Sequence, residues 1–151
     1  MMIVPFVVGV VLFLLAYRFY GARIAKWLGL DDARPTPSHT RTDGVDYIPT
    51  GNLILFGHHF SAIAGAGPIV GPVIAALAFG WLPAVLWIIL GAILIGGVHD
   101  FTVMVASIRN DGRSIGQICK AYLSRPAYYM FLFFILFTLI YVIIEIGRAH
   151  V

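Results

Sequence analysis

The chain has 151 residues, 60% hydrophobic and 11% charged, and its mean hydropathy of +0.93 is far above that of a soluble globular domain. Its net charge of +3 comes from basic residues gathered in two short segments, not from the basic stripe with interleaved aromatics that a nucleic-acid binder needs. A single cysteine, Cys119, excludes an internal disulfide framework and a thiolate metal cluster. The composition is that of an all-α, polytopic transmembrane bundle. The length suits three or four crossings and is short for a transporter, so a longer polypeptide is expected.

The first apolar run starts at Met2 and continues through Tyr17 to Gly21. It predicts a helix over about 2–20, close to the ~20 residues that cross ~30 Å of hydrocarbon. A cleaved signal peptide fits poorly, because no basic segment precedes the run and no small-residue cleavage site follows it. Residues 21–51 are polar, with Asp31-Asp32, Pro35, Pro37 and an Asp43-Gly44 turn signal. They read as an irregular loop with one short amphipathic helix around Ala22 to Leu28, lying along the bilayer surface.

A helical hairpin is expected over about 53–80 and 81–107, turned at Phe79 to Pro83, with no charged residue between Asp46 and Asp100. A second polar loop, 108–125, holds Asn110-Asp111-Gly112, and a last helix is expected over about 126–146. Residues 145–151 (EIGRAHV) read like the translated start of a sequencing adapter, with the natural protein continuing differently after about Ile144. Glu145, Arg148 and His150 are therefore assigned no function. Arginine and lysine lie in the two polar loops and not in the Phe79 to Pro83 turn. The positive-inside rule then puts both loops in the cytoplasm and the N-terminus outside, with Trp81, Trp87, Tyr128 and Tyr129 as interfacial anchors.

The stretch Gly57 to Pro72, GHHFSAIAGAGPIVGP, is unusual for a membrane helix. Proline removes a backbone donor and clashes with the preceding turn, and glycine is the next poorest helix former, so Gly65-Ala66-Gly67-Pro68 followed by Gly71-Pro72 predicts a break. Backbone freed in hydrocarbon costs several kcal/mol per group unless protein, water or a ligand satisfies it, and transporters use such breaks to bind cargo. Gly65, Gly67, Pro68 and Gly71 are the candidate binding positions. The plainer reading is packing, since Gly67 and Gly71 form a small-xxx-small face for another helix.

His58 and His59 precede the break, and His99-Asp100 follows in the next helix. Residues 58 and 99 lie 23 and 18 residues from Trp81, or roughly 34 and 27 Å of helix, so both sites are expected in the cytoplasmic part of the hairpin. An intramembrane carboxylate marks an ion or proton pathway by default, and histidine beside it can carry a proton at physiological pH. His58, His59, His99 and Asp100 are the candidate relay; an interhelical hydrogen-bonded latch is the structural alternative. An H…HD metal phosphohydrolase would need a water-accessible pocket and a further acidic ligand. A bis-histidine haem between helices is a second alternative, distinguished by its Soret band. No metal or cofactor is expected.

The segments DYIPTGNLILFGHHFSAIAGAGPIVGPVIAAL (46–77) and GGVHDFTVMVASIRNDGRSIGQ (96–117) closely resemble the N-terminal part of the carbon starvation protein A (CstA) family, and the resemblance runs in order over 1–144. It implies a secondary transporter of the bacterial inner membrane, not an enzyme, for peptides or pyruvate-like carboxylates, coupled to a proton or cation and linked to carbon starvation. It further implies a fragment of a LeuT-like core of the amino acid–polyamine–organocation superfamily. The helix of Gly65 to Pro72 would be the first discontinuous core helix, the helix from Met2 an extra one before it, and the remaining helices would lie C-terminal. Membrane lipid, a small-molecule substrate and the coupling ion are the partners implied. A non-transporting membrane scaffold or sensor is the remaining alternative.

Overall fold

The structure is a computed structural model and describes residues 3–148; Met1, Met2 and residues 149–151 of the expected tail lie outside the described residues. Every regular element among them is helical, and three helices are long and apolar enough to cross a membrane: Ile3–Trp27, Trp81–Arg109 and Arg125–Ile144. A bent pair, Asn52–Ile63 with Gly67–Phe79, makes a fourth span if it is counted as one. The chain divides into two compact units: residues up to Pro35 with Ile74–Ala106, and Thr36–Val73 with the residues from Ser107 onward.

In the first unit, α1 (Ile3–Leu15), a π-wound turn (Ala16–Gly21) and α2 (Ala22–Trp27) form one continuous helix of 25 residues. The helix expected to stop near residue 20 therefore continues to Trp27, and Ala22–Leu28 is not a separate surface helix. Gly21 alone does not end it, because the residues around it hold right-handed helical dihedrals. What ends it is Gly29, at φ 61°, where Gly29 N–H donates to Lys26 O (3.1 Å) and Leu30 N–H to Ala25 O (3.1 Å). This is a Schellman ending, which needs a left-handed residue that glycine supplies without strain.

The expected turn at Phe79 to Pro83 narrows to one residue, Gly80, at φ 87°. α6 (Trp81–Leu90) begins directly after it, and Pro83 sits in its first turn, where a missing N–H costs no helical bond. A second π-wound turn (Gly91–Gly96) joins α6 to α7 (Gly97–Arg109). The unit's interior is small: Ile24, Ala84, Ile89 and Val105 are buried, and Gly9 is buried against Ile89. The other apolar side chains are largely exposed, as suits helices whose solvent is lipid or another helix.

The second unit contains α3 (Pro37–Thr40), α4 (Asn52–Ile63), the start of α5 (Ala66–Phe79), α8 (Ile115–Tyr122) and α9 (Arg125–Arg148). The expected 108–125 loop thus carries a two-turn helix. Its start is a capping box: Gln117 N–H donates to Ser114 Oγ (3.4 Å) and Ser114 N–H donates to Gln117 Oε1 (3.0 Å). Ser114→Ala is expected to cost about 1 kcal/mol of local stability, measured as lost amide-exchange protection over residues 115–118.

The two polar loops of this unit interlock. Tyr47 OH donates to Asp111 O (2.7 Å), the Arg41 guanidinium lies 3.0 Å from the Asp111 carboxylate, and Tyr122 OH donates to Asn110 Oδ1 (3.0 Å). Asp111 (φ 62°) and Gly112 (φ 73°) form a left-handed turn that brings backbone against the Tyr47 ring. The Asp43 carboxylate accepts from the N–H groups of Tyr47, Val45 and Asp46, each at 2.9 Å, and these bonds hold its pKa below the ordinary aspartate value. A depressed carboxyl stabilises the loop above its unfolded value of 3.8 and loses that contribution as pH falls through the lower folded value. Amide protection at Val45 to Tyr47 is accordingly expected to collapse only below about pH 3.8, and Asp43→Asn to weaken it at neutral pH.

Candidate functional site

α4 ends at Ile63 because the next residue leaves the helical region: Ala64 has φ −75°, ψ 53°. Ala64 N–H still reaches Phe60 O (2.8 Å), and Gly65 N–H folds back to Ile63 O (2.7 Å) before α5 starts at Ala66. The two helices are bent by 47°. The break therefore precedes Pro68, which occupies the first turn of α5, and Pro72 lies inside α5 without interrupting it. A first-turn proline gives up an N–H that has no intrahelical partner there, so Pro68 favours a helix start just before it. The orphan donors of this half-helix are then the N–H groups of Ala66 and Gly67, at its positive dipole end.

Among the described residues, nothing lies within 4 Å of a Cβ built on Gly65, Gly67 or Gly71. Among the described residues, no neighbour fills the space beside these glycines. His58 and His59 sit on α4 with exposed side chains, in the second unit. His99 and Asp100 sit in the first turn of α7, in the first unit, with His99 Nδ1 3.0 Å from Asp100 Oδ1 and side-chain exposures of 70% and 44%. The structure thus joins His99 and Asp100 directly. Thr102 Oγ1 donates to the carbonyls of Val98 (2.8 Å) and His99 (2.9 Å), which anchors the same turn.

Sequence reasoning missed two features. The Tyr47–Asp111 junction joins residues 64 apart, and its only local signals were the paired Asp-Gly dipeptides at 43–44 and 111–112. The two π-wound turns had no compositional signal beyond glycine at their ends.

The family model described as "Carbon starvation protein CstA" matches residues 1–148. The chain belongs to this family. Within the CstA family it is 57% identical over 107 residues to a peptide transporter CstA of Helicobacter pylori, covering 70% of this chain and 15% of that protein. It is 53% identical over 115 residues to a peptide transporter CstA of Escherichia coli, covering 76% of this chain and 16% of the relative. It is also 50% identical over 115 residues to the pyruvate/proton symporter BtsT of Escherichia coli, at the same coverage. The match thus spans about one-sixth of the curated CstA relatives. No solved structure matches the chain.

Proposed function

We propose that this chain forms the N-terminal part of a proton-coupled carrier for small organic carboxylates, peptides or pyruvate-like acids, used during carbon starvation. The observation that carries this reading is the 47° break between α4 and α5 in a CstA-family sequence. Relatives named for peptide and for pyruvate transport share one chemical feature in their cargo, a free carboxylate. A carboxylate suits the N–H groups at the start of α5, with Gly65, Gly67 and Gly71 keeping the approach open and Pro68 setting the helix start.

Asp100, bonded to His99, is the proton acceptor of this reading, with His58 and His59 as the further relay candidates. The chain sits in the bacterial inner membrane with residues 21–51 and 108–125 cytoplasmic and the N-terminus outside, and helices C-terminal to it complete a LeuT-like core. The test is accumulation of labelled pyruvate and labelled dipeptide by vesicles holding the complete reading frame, with and without an imposed pH gradient. Gradient-driven accumulation of either substrate supports the reading; accumulation of neither rules it out.

A further inference from the structure

The first unit holds a cavity of 630 Å³ between its two long helices, and the transport reading leaves it unused. Gly9 of α1 and Ile89 of α6 are in contact, with Ile89 Cδ1 3.6 Å from a Cβ built on the glycine. Farther along, the cavity is lined by residues 13–25 of one helix and 92–101 of the other. Both helices are π-wound within this stretch, at Ala16–Gly21 and Gly91–Gly96. A π turn widens the helix, and such turns gather at functional sites. At Gly97, whose N–H bonds Ala92 O, an added Cβ would meet that carbonyl at 3.0 Å, so glycine keeps this turn and its wall in place.

The wall is chemically mixed. Phe13, Ile93 and Phe101 make it apolar, whereas Tyr17, Tyr20 and Arg18 bring two hydroxyls and a guanidinium. Arg18 opens a basic run with Arg23 and Lys26 that no acid accompanies before Asp31. By the charge distribution of the loops, this basic run lies toward the cytoplasmic headgroups.

We infer that the cavity binds an anionic phospholipid, with an acyl chain along the apolar wall and the phosphate at Arg18. Charge complementarity selects this occupant. A guanidinium pairs phosphate oxygens through two parallel N–H donors, a basic pocket between membrane helices on the cytoplasmic side attracts anionic headgroups, and tyrosine is at home at that depth.

The test uses the full-length protein carrying this segment, held in nanodiscs of equal parts phosphatidylglycerol and phosphatidylcholine, then extracted and weighed by native mass spectrometry. Phosphatidylglycerol is retained preferentially. Arg18→Gln lowers that preference about fivefold, the worth of one basic contact at a membrane surface, and Arg18→Lys retains most of it. Ala92→Leu, which fills acyl space, lowers retention of both lipids without altering their ratio. Added inorganic phosphate leaves the bound phospholipid in place; displacement by phosphate would reduce the site to a headgroup-only anion site and overturn the proposal. Equal preference in the parent and Arg18→Gln proteins overturns it. So does unchanged retention in Ala92→Leu, the result expected if another helix of the longer protein fills the cavity.

Discussion

Asp100→Asn is expected to abolish gradient-driven uptake in the full-length protein while leaving substrate exchange across the vesicle membrane intact. Asparagine keeps the size of the side chain and an acceptor for the His99 ring, which lies 3.0 Å from the carboxylate, but it cannot bind and release a proton at physiological pH. For one proton per substrate, a gradient of one pH unit is worth ~1.4 kcal/mol, or up to about tenfold accumulation. The variant loses that factor. Counterflow of labelled against unlabelled substrate needs binding and alternation only, so it separates lost coupling from a lost fold. Retained gradient-driven accumulation would remove Asp100 from the relay and leave His99–Asp100 as a local latch.

The second large effect is expected from healing the break. In Gly65→Ala/Gly67→Ala/Pro68→Ala the two glycine replacements each favour helix by about 1 kcal/mol. The proline adds up to about 3 kcal/mol, less in a first turn than in an interior. The new methyls at 65 and 67 meet no described neighbour within 4 Å, so the protein should still insert. Uptake of pyruvate and dipeptide is expected to fall to background with protein levels unchanged. Spin labels at residues 55 and 76 should move apart toward the ~32 Å of an unbroken helix. Full transport by a demonstrably straightened variant would assign the glycines to packing.

The broken helix was legible in the sequence because Gly-Ala-Gly-Pro penalises helix in a run with no other reason to stop. The break falls at the start of Gly-Ala-Gly-Pro, at Ala64 and Gly65. Pro68, at the third position of α5, lacks only a donor that has no intrahelical partner there, and the chain leaves the helix at Ala64, before it. Pro72 shows the converse: one interior proline is accommodated when the flanking turns hold. α8 had its signature in Ser114…Gln117, obscured by the charges around it. The π-wound turns change hydrogen-bond register without changing which residues are apolar, so hydropathy cannot report them. The Tyr47–Asp111 bond joins two loops through the fold alone. Composition therefore yielded the apolar helices, whereas the cavity and the loop junction required coordinates.

The backbone discontinuity is tested most directly by amide hydrogen exchange across Leu55 to Ala76 in the full-length protein in lipid nanodiscs. Fast exchange at Ala66 and Gly67, flanked by slow exchange in Phe56–Ile63 and Val70–Ala76, is the expected pattern, because those two donors have no partner within the helix. Uniform slow exchange from residue 55 to 76 would mean one continuous helix and would contradict a cargo site built on freed backbone.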